Sequence, residues 1–137
     1  MSGLAAVLAG RHAPGVHRWD SALDVVDVEH AVEHAGWAFG YVDGAGLEEL
    51  PAVLDAIGRA LVLPEHYGRN LDALNDCLRD LGTPTVLLWD AWGGFAHADP
   101  RRFAVLVEVL GSRADDDPAV EVLLRGPGPA DVVPLLD

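Results

Sequence analysis

The chain has 137 residues, half of them apolar, which is enough to build the core of one domain. Its 22 acidic residues outnumber 9 basic ones, every one of the nine an arginine, for a net charge of −13. That balance excludes direct binding to nucleic acid or to an anionic membrane, which needs a basic surface, and favours steered encounter with a basic partner. Cys77 is the only cysteine, so no intramolecular disulfide can form. No apolar run approaches the roughly 20 residues of a membrane span. The start, MSGLAAVLAGRHAPG, lacks a basic leader and its apolar stretch is short for a signal sequence. A reduced, cytoplasmic protein is expected.

The first 15 residues read as a loosely attached segment, with a short helix ended by the breaker APG. VHRW (16–19) is a candidate strand too short to decide. DVEHAVEHAG predicts a helix capped by Asp27 and stopped at Gly36, with Val28, Ala31, Val32 and Ala35 toward the core. WAFGYV (37–42) predicts a strand ending in the turn pair Asp43-Gly44. From Leu47 to Leu63 the apolar residues follow the 3.6-residue period of an amphipathic helix, with Pro51 in its first turn. After the loop EHYGR comes a helix from Asn70 to Leu81. TVLLW (85–89) has the continuous apolar run of a buried parallel strand. AWGGFAHADP reads as a glycine-rich connection. Asp99 and Pro100 then open a helix to Gly111, and AVEVLL (119–124) is the last strand. The tail, RGPGPADVVPLLD, is expected to be irregular. Strands alternating with helices predict parallel βα units.

The sequence offers little catalytic machinery. HAVEH (30–34) matches the H-x-x-E-H pattern in which two histidines one helical turn apart hold zinc. His30, Glu33 and His34 thus define an alternative reading as a zinc hydrolase, although no downstream helix offers a third ligand. An ordinary surface helix accounts for the same residues. Neither a nucleophile elbow nor a phosphate-cradling glycine loop is present. Cys77 falls on the apolar side of its helix with Leu74 and Leu81, where a thiol is structural. No cofactor, metal or catalytic residue is expected.

The stretch PEHYGRNLDALNDC (64–77) is more informative. At about 100° per residue, Leu71, Leu74, Cys77, Leu78 and Leu81 take one side of a helix; Asp72, Asn75, Asp76 and Arg79 take the other. Two carboxylates four residues apart repel, at a cost of roughly 0.2–0.5 kcal/mol. The helix dipole eases the charge of Asp72 in the first turn, and Arg79 that of Asp76 at i+3.

LPEHYGRNLDALNDCL (63–78) closely resembles the signature of the barstar family, intracellular inhibitors of secreted microbial ribonucleases. YVDG (41–44), TPTVLLW (83–89) and the last helix and strand extend the resemblance over residues 37–125. It implies a three-stranded parallel sheet flanked by helices. Residues 1–36 would be an N-terminal extension packed on or beside that domain, open to adding a short strand and a helix, and 126–137 a proline-rich tail. It further implies a non-enzymatic bacterial protein that fills the active site of an extracellular, guanyl-preferring ribonuclease. Carboxylates would stand in for RNA phosphate in a one-to-one complex with a monomer. Asp76 matches the family aspartate that enters the phosphate site, and Asp72 a second acid on that face. His66 falls where the family often has an aromatic, Gly68 and Asn70 match the contacting loop and helix start, and Glu108 another interface acid. Two residues depart from the pattern: Asn75 stands in place of a bulky aromatic, and Arg69 in place of an acid. An interaction module for another basic partner, such as a nuclease toxin, is the alternative these departures suggest.

Overall fold

The computed structural model describes residues 3–64, 67–113 and 116–136. In chain order its elements are α1 (Gly3–Leu8), β1 (Val16–Trp19), α2 (Val25–His34), β2 (Ala38–Asp43), α3 (Leu50–Ala60), α4 (Leu71–Arg79), β3 (Thr85–Asp90), α5 (Gly93–Ala98), α6 (Pro100–Gly111), β4 (Val120–Arg125) and β5 (Leu135–Leu136). The strands form one parallel sheet in the order β2-β3-β4-β1-β5. Its register sets Leu87 beside Gly40 on one side and Val122 on the other.

The sheet therefore has five strands, not three. VHRW becomes β1, inserted between β4 and β5. The tail is not irregular throughout: the Arg18 amide donates to the Pro134 carbonyl at 2.8 Å, and the Arg18 Nε to Val133 at 2.9 Å. Leu135 and Leu136 then pair with Arg18 and Trp19. The opening residues are not loosely attached either, since Leu4, Ala6 and Val7 are buried.

The physical reason lies in β3 and β4, whose first five residues are all buried. A strand with apolar side chains on both faces needs a layer on each. On one face Leu87, Trp89, Val122 and Leu124 pack against α3, α4, α5 and α6 through Ile57, Leu78, Phe95 and Leu106. On the other, Val86, Leu88 and Leu123 pack against Val28 and Val32 of α2 and Leu4 and Val7 of α1. Residues 3–36 thus cover the second face of the sheet.

Local differences from the predicted elements have local causes. Asp24, not Asp27, precedes α2: its extended backbone ends the loop, and its carbonyl accepts from the Val28 amide at 3.1 Å. Val28 and Val32 set the buried stripe, which leaves Ala31 and Ala35 exposed. The glycine-rich connection after β3 contains α5, anchored by buried Trp92, Phe95 and Ala96. Gly93 opens it because a Cβ there would lie 2.1 Å from the Pro127 carbonyl oxygen. Among the described residues no helix is long and apolar enough to cross a membrane.

One polar pair is sealed between β1 and β4. Glu121 is fully buried; it accepts from the Gly15 amide at 3.0 Å and meets His17 Nδ1 at 2.8 Å. The His12 ring stands edge-on to His17 at 5.2 Å between centroids. Burial pushes the Glu121 carboxyl above its ordinary value, against the opposing pull of His17 and the Gly15 amide. An acid raised in this way contributes stability below its unfolded pKa that is lost as pH rises through its folded pKa. Glu121→Gln can still accept from Gly15 and donate to Nδ1 of the other His17 tautomer. In urea unfolding, its stability relative to wild type is expected to rise with pH across the folded pKa of Glu121. Glu121→Ala strands both partners and is expected to cost roughly 3–5 kcal/mol near neutral pH.

Candidate functional site

The candidate site is the turn out of α3, the segment before α4, and the outer face of α4. The α3 turn closes by two backbone bonds, from the Val62 amide to Arg59 at 3.2 Å and from the Leu63 amide to Gly58 at 2.9 Å. That paired pattern places the residue after the cap in the left-handed region, usually as glycine. Here it is Val62, at φ 53°. Beyond it, the Tyr67 amide donates to the Pro64 carbonyl at 2.9 Å.

Tyr67 fastens this segment to α3. Its hydroxyl donates to the Leu54 carbonyl at 3.2 Å, and its ring lies so close over Gly58 that a Cβ there would come within 2.7 Å. Burial, then the nearby Cys77 and Asp55, push its phenol up to about 12, with Arg69 pulling the other way. Arg69 follows in the left-handed region at φ 52° and pairs with Asp55 of α3 at 3.0 Å. Asp55 also holds Arg59, one turn along its own helix.

Asn70 caps α4, its side-chain oxygen accepting from the Ala73 amide at 2.8 Å. Leu74, Cys77 and Leu78 are buried beneath the helix, while Asp72 and Asp76 are exposed on its outer face. Arg79 donates to Asp76 at 2.5 Å. Burial, with Asp80 and Asp76 adding to it, pushes the Cys77 thiol up, which leaves it a packing group and not a nucleophile. Asn75 is half-buried, its side-chain oxygen 3.5 Å from the hydroxyl of Ser112 just past α6, which donates to the Val109 carbonyl at 2.6 Å.

Of the residues singled out from sequence, Gly68, Asn70, Asp72, Asn75 and Asp76 thus fall on one continuous segment. Glu108 is exposed on α6, where it lines a depression toward the tail with Val107, Pro129 and Val132. His66 lies outside the described residues. His30 and His34 are exposed on α2, and among the described residues no three His, Cys, Asp or Glu side chains gather as a metal site would require. The sequence reading missed the Tyr67–Gly58 contact and the double pairing of Asp55. Only the Asp55–Arg59 half, at i, i+4, carried a spacing signal.

The family model described as barstar (barnase inhibitor) matches residues 37–125. A Bacillus subtilis protein named "Putative ribonuclease inhibitor YrdF" is 36% identical over 78 residues, covering 55% of this chain and 71% of its own. Among solved structures, the Aeropyrum pernix ORC2 protein matches with a TM-score of 0.58 at 18% identity, over 91% of this chain and 38% of that one. Drosophila ORC bound to AT-rich DNA and Cdc6 matches with a TM-score of 0.56 at 12% identity, over 94% and 44%. This chain spans less than half of either structure, and at such identities the likeness is one of fold.

Two substitutions test how the segment is built, by urea unfolding. Asn70→Ala is expected to cost about 1 kcal/mol and Asn70→Asp to retain the cap. Gly58→Ala would add up to about 1 kcal/mol in an unobstructed helix. Against the Tyr67 ring it is expected to add nothing or to destabilise.

Proposed function

The chain belongs to the barstar (barnase inhibitor) family, and from that premise we propose that it is a protein inhibitor of a microbial ribonuclease. The observation that carries the reading is α4 itself: a capped helix whose apolar side is buried and whose Asp72 and Asp76 carboxylates stand in solvent on one face. The B. subtilis relative bears the name of a ribonuclease inhibitor, which supports the same role here.

The proposed mechanism is steric and electrostatic. An enzyme that cleaves RNA keeps a cationic cleft for phosphate. The α4 face, inserted there, offers carboxylate oxygens in its place and excludes the substrate. Asp76 is assigned the phosphate position. On binding it exchanges Arg79 for the cations of the cleft, and Arg79 has room to turn away because both side chains are exposed. Asp72 stands one turn nearer the helix start and provides the second contact. Gly68 and Asn70 present the backbone leading into the helix, and His66 and Glu108 are assigned as further contacts. The net charge of −13 steers encounter with a basic enzyme. The target we assign is secreted and guanyl-preferring, met in the cytoplasm before export, one enzyme to one inhibitor.

Truncating one partner of a charge pair buried in an interface costs roughly 2–5 kcal/mol, a range established on complexes that include barnase–barstar. Titration into a panel of microbial ribonucleases, read as residual RNA cleavage, is expected to find at least one that wild type inhibits. Against it, Asp76→Ala is expected to lose more inhibition than Asp72→Ala. Equal inhibition by wild type and Asp76→Ala removes Asp76 from its assigned role, and no inhibition of any ribonuclease overturns the reading.

A further inference from the structure

The flank of the candidate site carries two exposed arginines. Asp55 is the one carboxylate among the described residues that pairs with two arginines, Arg59 and Arg69. Each guanidinium has five N–H donors, so one carboxylate leaves most of them facing outward. Glu65 lies between the two arginines in the sequence, so what distinguishes this flank is two exposed guanidiniums sharing one carboxylate and not its net charge. Arg59 and Arg69 are 81% and 67% exposed at their side chains, beside a shallow cleft that Val62 and Tyr67 also border.

Val62 makes this flank more than a chance pairing of charges. A β-branched residue at positive φ is a backbone outlier, costing about 1–3 kcal/mol. The turn needs only a residue that tolerates the left-handed region, and glycine would carry it without strain. The valine side chain gives the fold nothing in return, being 87% exposed. Arg69, also left-handed, ends the same segment. The two non-glycine residues that bracket it thus hold an apolar and a cationic side chain out toward solvent, next to the acidic face of α4.

We infer that Arg59, Val62 and Arg69 form a selectivity edge, which fits a target whose cationic cleft is bordered by a carboxylate-bearing loop with an apolar side chain beside it. The inference rests on the ribonuclease-inhibitor reading and adds the kind of target. A cleft bordered only by cations is repelled by this edge while α4 attracts it. A mixed border is attracted by both. Building repulsion against the wrong partner is an effective source of specificity.

Val62→Gly separates selectivity from folding, because it removes a side chain while relieving the backbone; Arg69→Gly also removes the pair with Asp55, so its stability is measured beside its inhibition. Val62→Gly and Arg69→Gly are made in the full chain and assayed by thermal unfolding and by titration against the ribonuclease that wild type inhibits. The expected result is Val62→Gly at least as stable as wild type, with each variant raising the inhibition constant about tenfold or more. Arg69→Gly makes the inhibitor more acidic, so tighter inhibition, or an unchanged constant in both variants, overturns the selectivity edge and leaves the inhibitor reading standing. If wild type inhibits no ribonuclease, both fall together.

Discussion

Neither face of β3 can be left in water, and most of the architecture follows from that. Val86 and Leu88 point to one side, Leu87 and Trp89 to the other, and all four are essentially without exposure. At about 25 cal/mol per Å² of apolar surface, exposing either side would cost several kcal/mol, a large part of a small domain's stability. The layer that contains α4 covers one face. The other is covered largely because residues 3–36 return to it: β1 joins the sheet next to β4, and α1 and α2 lie over Val86, Leu88 and Leu123. A segment that first reads as an appendage is half of what closes the core. The Glu121–His17 pair sits at that seam and fixes how β1 meets β4, at the expense of burying ionisable groups.

The carboxyl ends of the strands are tied by a second polar group. Arg125 of β4 grips Asp90 of β3 with two nitrogens, at 2.6 and 2.9 Å, and Tyr41 of β2 donates to the same carboxylate at 2.9 Å. Arg125 also donates to the Leu23 carbonyl at 2.6 Å, beside Trp19. Burial tends to raise the Asp90 carboxyl, and the bonds from Arg125 and Tyr41 outweigh it, holding the carboxyl below its ordinary value. One ion pair thus reaches β2, β3, β4 and the loop before α2. The sheet so tied packs against the layer that contains α4, whose buried side faces that core and whose carboxylates face outward.

What was legible in the sequence was local or strongly periodic. TVLLW announced a strand buried on both faces because the four consecutive apolar residues after Thr85 leave it no polar face. Asn70, Asp99 and Pro100 marked helix starts because capping is chemistry between neighbours. The outward face of α4 followed from helical geometry alone. What was not legible depends on partners distant in sequence. VHRW is too short to declare itself, and its pairing with Leu135–Leu136 is set by the fold. Asn75 stands where the resemblance implies a bulky aromatic, and its half-buried place beside Ser112, just past α6, is set by the fold. Arg69 looked like lost negative charge; only its approach to Asp55 showed that the charge is grouped with Arg59.

Departures from local rules are informative when the fold does not account for them. Three non-glycine residues among those described have left-handed backbones: Val62, Arg69 and Ala91. Ala91 is explained by the sheet, since its amide continues the β3–β4 ladder to Arg125 at 2.9 Å and the strand must turn there into α5. Arg69 is partly explained, because its pair with Asp55 draws the segment onto α3. The turn that ends α3 accounts for the backbone of Val62 but not for a valine there, whose side chain is 87% exposed. A selectivity edge at this surface gives that side chain a use the turn itself does not supply. A partner that meets only α4 gains from the carboxylates and is opposed by the arginines beside them. The arrangement favours a partner whose own charges alternate across the same boundary, so the pattern of charge, more than its total, is what this edge selects.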